Sequence, residues 1–213
     1  MPELSQRQMG DDGYSDSLRT LLRNATKDAH HRIDHHPLVA PLVRHGLTAA
    51  QYGNALLALF ALHAPLEKAF STFLSIPEYS PPPRSSLLAE DLSSLGRQAD
   101  LTNLPLALLW SGHGIATPSE YVGMRYVIEG SAMGAKFIRA QLKTTLPEGC
   151  RTITRFFDGY PGDGDWRALW QFAATQGSFN HVDAAAAAIR LFTDIEDLFD
   201  RHFELYCRPE TAL

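Results

Sequence analysis

The stretch Leu21-Leu22-Arg23-Asn24-Ala25-Thr26-Lys27-Asp28-Ala29-His30-His31-Arg32-Ile33-Asp34 reads as a helix, and it governs how the rest of the chain is read. On a helix, His30 and Asp34 share one face. A carboxylate one turn away accepts the imidazole N–H and leaves the other ring nitrogen free for a metal. Arg23 lies two turns before His30 on the same side, with Lys27 between them. A guanidinium placed there can pair with an anionic carboxylate. The same residues also fit a solvated helix face, and the segment alone does not separate the two readings. His31 and His35 form a second pair at this spacing, but no third zinc ligand is indicated and a surface position suits them better.

Working outward, the 213 residues are 45% hydrophobic and 20% charged, enough for one globular domain with a sizeable core. A net charge of −5 and a pI near 6.0 give no footprint for nucleic-acid binding. The longest apolar runs, such as residues 55–62, are too short to cross a bilayer. The first residues, MPELSQRQMGDDGYSDS, carry no basic and apolar leader pattern and read as a polar tail. Cys150 and Cys207 are far apart and outside any CxxC pattern, which fits a reducing cytoplasm. A cytoplasmic protein with no membrane or nucleic-acid partner is expected.

The periodicity is helical almost throughout, and no strand alternation or internal repeat is visible, so the expected fold class is a single all-α domain. Residues 1–16 are expected to be a flexible N-terminal tail, 17–207 the helical domain and 208–213 a C-terminal tail. Ser17 is the expected N-cap of a first helix ending near His35, before Pro37. Thr48 and Gln51 have capping-box spacing for a second helix through Leu74, with Pro65 as its expected kink. The proline-rich run 76–83 reads as a loop. Helices are expected at 85–97 and around 105–113, then in a long segment from Pro118 to Leu146. After the turn 159–164, Asp165 is the expected cap of a helix over 166–179, and a last helix spans 182–206.

A second informative segment is Tyr126-Val-Ile-Glu-Gly130-Ser-Ala-Met-Gly134-Ala. Glycine in a helix interior costs roughly 1 kcal/mol relative to alanine, so Gly130 and Gly134 call for a compensating reason. Close approach of another helix is one, and close approach of a flat ligand, or a bend that lines a pocket, is the other.

Taken together, these pieces resemble the heme oxygenase family. The first segment is similar to its proximal helix, L-R-x-A-T-x-x-x-H, with His30 at the axial iron-ligand position. Asp34 falls at the histidine's acidic partner, and Arg23 at a basic residue facing a heme propionate. The second resembles the distal helix in its bacterial form, Y-V-x-E-G-S-x-x-G-A, with Gly130 and Gly134 at the glycines that pack on the porphyrin. Arg155-Phe156-Phe157-Asp158-Gly159-Tyr160 is similar to the F-F-x-x-Y stretch of bacterial members. The three pieces are in register over roughly residues 17–206. Ser131 stands where mammalian-type members carry an aspartate that organises distal water, which leaves the proton path unassigned.

The resemblance implies a helical bundle with heme sandwiched between a proximal helix and a kinked distal helix. Heme would be both substrate and cofactor, cleaved to biliverdin, carbon monoxide and ferrous iron with O2 and an external electron donor. His30 is the implied metal ligand, and His30, Gly130 and Gly134 the implied catalytic set. Arg23, Lys27, Asp34, Tyr126, Ser131 and Phe157 are the implied heme-contacting residues, with Arg125, Lys136, Arg139 and Arg155 as further propionate candidates. His63, His113, His181 and His202 show no partner pattern and read as structural. Implied partners are a ferredoxin or other reductase and a bilin acceptor such as a phytochrome. The alternatives are a heme carrier or sensor on the same fold, another enzyme on a similar helical fold, and a helical interaction module.

Overall fold

The computed structural model describes residues 3–73, 83–159, 164–176 and 179–207, with side chains from Ser17 onward. Among these residues every regular element is a helix. Helix α1 (Glu3–Asp34) contains Ser17 within it, so the expected N-cap there does not form. Leu18 and Leu22, both fully buried, anchor this helix in the core. Once such a nucleus is fixed, each further residue adds a hydrogen bond without a new nucleation cost, and the helix extends into the polar residues before it.

Helix α2 (Ala49–Phe73) starts from the expected capping box: Gln51 N donates to Thr48 Oγ1 at 3.1 Å and Thr48 N donates to Gln51 Oε1 at 3.0 Å. The helix runs unbroken through Pro65. Leu74 and most of the proline loop expected over 76–83 lie outside the described residues. Helix α3 (Ser85–Ser94) ends before Arg97 because Gly96 adopts φ +73° and closes the last turn, with Arg97 N donating to Leu92 O. A short α4 (Gln98–Thr102) follows, which the sequence reading did not anticipate. The helix expected at 105–113 is only a 3-10 turn at Leu106–Leu108, after which Trp110 N donates to Ala61 O at 2.9 Å and pins the connection to α2.

Helix α5 (Pro118–Thr145) opens with a full capping box between Thr117 and Glu120. One turn, α6 (Arg155–Asp158), leads towards α7 (Gly164–Thr175); residues 160–163, including Tyr160 of the F-F-x-x-Y match, lie outside the described residues. Helix α7 begins one residue before Asp165, the expected cap, and ends short of Phe179. Helix α8 (His181–Tyr206) is capped by Asn180, whose Oδ1 accepts from Val182 N at 2.9 Å.

Helix α8 packs along both α1 and α5 and joins them to one core. Its small residues Ala184, Ala185, Ala187 and Ala188 are all buried. A Cβ on Gly123 of α5 would stand 2.1 Å from Ala184 O, so this glycine permits direct backbone approach of the two helices. A second apolar cluster around Tyr52, Leu56, Leu88 and Leu142 ties α2, α3 and α5 together. Full burial of each such leucine contributes roughly 1.5–3 kcal/mol. Among the described residues, no helix is long and apolar enough to cross a membrane.

Candidate functional site

Helices α1 and α5 face each other across two adjoining cavities that share His30, Val127 and Phe192 in their walls. The larger, about 530 Å3, is rimmed by Arg19, Arg23 and Lys27 from α1, Tyr126 and Gly130 from α5, and Trp166 from α7. The smaller, about 160 Å3, runs inward between Asp34, Ser131, Gly134, Phe156, Phe157 and Phe199. His30 thus stands at the junction of a cation-rimmed chamber and an apolar one.

His30 Nδ1 lies 2.9 Å from Asp34 Oδ2, and the two side chains are 57% and 58% exposed. An exposed pair of this kind contributes only about 0–1 kcal/mol to stability. Its consequence is orientation: with Nδ1 donating to the carboxylate, the lone pair sits on Nε2, the nitrogen suited to a metal. The ring meets Phe192 edge-on, at 5.9 Å between centroids. Among the described residues, no group of three or more His, Cys, Asp or Glu could hold a metal ion. The second pair, His31 and His35, is exposed and stacked at 4.2 Å, with His35 Nδ1 2.9 Å from its own helix at His31 O.

The opposite wall is bare where the sequence placed its glycines. Among the described residues, and apart from the backbone of its own helix, a Cβ on Gly134 would meet nothing within 4 Å, and one on Gly130 would meet only Trp166 at 3.6 Å. The two are therefore unlike Gly123: they clear space beside a cavity and do not seat a neighbouring helix. Helix α5 remains continuous through both. Ser131 Oγ donates to Ile128 O at 2.6 Å, so in this rotamer its hydroxyl proton is committed to the helix.

Behind this wall, Glu129 is fully buried between two arginines. Arg84 Nη2 donates to Glu129 Oε2 at 3.0 Å and Arg125 Nη1 to Oε1 at 3.2 Å. Arg84 also reaches Asp165 Oδ2 at 3.1 Å, and the Arg125 guanidinium lies 3.9 Å over the Phe70 ring. This cluster fixes the rotation of α5 about its axis by tying it to α2, α7 and the start of α3.

All nine residues that the sequence assigned to the site line one or both cavities: Arg23, Lys27, His30, Asp34, Tyr126, Gly130, Ser131, Gly134 and Phe157. The four further propionate candidates do not. Arg125 is consumed by the buried cluster, Arg139 pairs with Asp158, and Arg155 pairs with Asp91 and Glu90. Lys136 is exposed and absent from both cavity walls.

Several lining residues escaped the sequence reading. Arg19 continues the face of Arg23 one turn earlier, a signal helical spacing does contain. Trp166 and Phe192 arrive from α7 and α8, and no local pattern announces them. His63 does have a partner pattern: Glu67 is four residues on, with His63 Nδ1 3.7 Å from its Oε1, and the buried ring lines the inner cavity. Burial pushes the Glu67 carboxyl up, but the nearby His63 imidazole and hydrogen bonds from Ser85 and Arg84 N outweigh it and hold the group below the usual glutamate range. His202 remains structural, buried with Nε2 2.9 Å from Leu108 O.

Compared with known proteins, none of the curated proteins and none of the solved structures matches this chain. The family model described as heme oxygenase matches residues 16–162, a span that contains α2–α6, most of α1, including His30, and the whole glycine-stripped wall. That match covers more than half of the sequence, and the chain belongs to the heme oxygenase family.

Proposed function

We propose that this protein degrades heme, cleaving it to biliverdin, carbon monoxide and ferrous iron with O2 and electrons from an external donor. Family membership supports a heme-directed function in general. The observation that supports turnover over simple carriage is the opposition of the His30–Asp34 pair to the bare surface at Gly130 and Gly134 across one slot. A carrier needs an axial ligand but has no use for a helix face cleared of side chains on the other side. The residues present suit the substrate: one imidazole with its outer nitrogen available, an apolar inner chamber, and three cations at the other end.

Bound heme supplies the iron at which O2 is activated and the ring that is oxidised. The chain supplies everything that positions it. In this reading His30 Nε2 is the metal ligand, and Asp34 holds the imidazole in the required tautomer and raises its basicity. Arg23, Lys27 and Arg19 pair with the two substrate carboxylates and set its rotation in the slot. Gly130 and Gly134 let the α5 backbone approach the ring, and Phe157 and Tyr126 give it apolar and aromatic walls. Val127, Ile128 and Phe199 keep bulk water from the inner chamber. A ferredoxin or other reductase serves as electron donor, and a bilin acceptor such as a phytochrome is a candidate recipient of the product. Free Cys150 and Cys207 support a reducing, cytoplasmic setting.

The test is titration with hemin, then ascorbate or a ferredoxin system in air. A Soret band that decays to a biliverdin spectrum is the expected result; a stable band would favour the carrier, and no band would end the heme reading. His30→Ala is expected to abolish turnover or sharply weaken binding, and full activity in that variant would remove His30 as the ligand.

A further inference from the structure

The distal side of this slot has no assigned proton donor or acceptor. Ser131 donates its hydroxyl proton to Ile128 O, and among the described residues the titratable side chains in the wall of the inner cavity are His30, Asp34 and His63. His30 and Asp34 are engaged with each other. His63 has no role in holding the substrate.

Its placement is specific. The side chain is 5% exposed and lines the cavity that contains Ser131 and Gly134, with its ring edge-on to Phe156 at 5.3 Å. Nδ1 faces Glu67 Oε1 at 3.7 Å, and Nε2 has no hydrogen-bond partner among the described residues. Glu67 is itself held from the other side: Arg84 N donates to Oε1 at 2.7 Å, and Ser85 N and Oγ add two more bonds. At this distance the tethered carboxylate acts on the ring through its charge rather than by a direct hydrogen bond, and it favours the proton on Nδ1. With the proton on Nδ1, Nε2 presents a lone pair to the cavity. Glu67 remains 20% exposed, so the pair spans from solvent to the cavity.

We propose that His63 is the proton-transfer residue of the inner cavity, with Glu67 as its positioning residue; this rests on the heme-degrading reading above. Nε2 accepts a proton from water at the cavity, an N–H bond forming as an O–H bond breaks. It then returns that proton to an oxygen atom in the cavity, leaving the imidazole neutral with Nδ1–H on the side of Glu67. Bulk water supplies the replacement proton, and no electrons are exchanged in either step.

The experiment uses the full chain with His63→Leu, His63→Gln and Glu67→Gln. Wild type is expected to show His63 as the Nδ1–H tautomer in imidazole 15N spectra of the heme-free protein, with mixed tautomers in Glu67→Gln. With hemin bound, both His63 variants should keep a hemin Kd within about threefold of wild type, lose about 100-fold in single-turnover ring opening, and shift the midpoint of the ferric complex's acid–alkaline transition. If His63→Leu fails to fold, His63→Gln, which keeps size and polarity, carries the measurement. The Nε2–H tautomer in wild type would overturn the proposal. So would unchanged turnover in a folded His63 variant, or a loss of turnover matched by an equal loss of hemin affinity with the transition midpoint unmoved. A wild type that binds hemin without degrading it would overturn the reading of function, while the tautomer and the transition midpoint would still report on His63.

Discussion

Replacing Gly134 by alanine should make the heme-free protein more stable and the heme complex weaker. Gly134 sits inside α5 with a right-handed backbone, since positive φ angles among the described glycines occur only at Gly46 and Gly96. Alanine gains about 0.5–1 kcal/mol over glycine in a helix interior. Among the described residues, no atom outside the local backbone of α5 lies within 4 Å of the new Cβ to offset that gain. For a domain of this size each kcal/mol moves Tm by about 2–4 °C, so a rise of roughly 1–4 °C is expected by calorimetry without heme. The same methyl projects into the cavity against which a flat ligand would lie. Overpacking by one group costs about 1–3 kcal/mol, or roughly a 5- to 150-fold weaker hemin Kd in a Soret titration. A changed distribution of biliverdin isomers should accompany it. A lower Tm, or unchanged hemin affinity and products, would refute the assignment of this face to the substrate.

Gly123, nearer the start of α5, predicts the opposite. Gly123→Ala places Cβ 2.1 Å from Ala184 O and should destabilise the heme-free protein by about 1–3 kcal/mol or more in urea unfolding; a neutral result would contradict the close contact of α5 and α8. Glu129→Gln leaves Arg84 and Arg125 sharing a buried site without their common anion, a loss of about 3–5 kcal/mol in the same assay. His202 is buried and its pKa is held below the ordinary 6.5, chiefly by burial. Below that pH the unfolded chain takes up a proton that the folded one refuses, so stability falls as pH falls towards the lowered pKa, by at most about 1.4 kcal/mol per unit. His202→Gln should flatten this slope, and an unchanged slope would assign it to other groups.

The two walls of the slot were legible because each is one helix, and helical spacing alone puts Arg23, Lys27, His30 and Asp34 on a common side. The stripping of α5 by Gly130 and Gly134 was visible too, although sequence could not separate a ligand face from a helix contact. Only the Ala184 backbone beside Gly123, and its counterpart missing beside Gly134, makes that distinction. Long-range contributions were hidden for the same reason that Trp166 and Phe192 were: nothing within their own helices records what they face. The partners of Arg125 and Arg155 were hidden because an arginine's sequence neighbours do not reveal a buried carboxylate such as Glu129 or Asp91. The start of α1 was missed because local composition argued for a tail, while the anchoring leucines lie further along. His63 was overlooked despite carrying the same i,i+4 acidic partner that drew attention to His30.

Helix α8 has a consequence for how such a slot is tuned. Both walls rest on it, and its side chains change calibre along its length, from the alanines near residue 184 to Phe192, Ile195 and Phe199 at the cavity. It therefore works as a graded spacer, narrow where α5 must touch and thick where α1 and α5 must stand apart. The gap that receives a ligand is gauged by a third helix that carries none of the chemistry. Resizing one side chain there, Phe192 first, would alter the slot's width while every residue of the proposed site kept its identity.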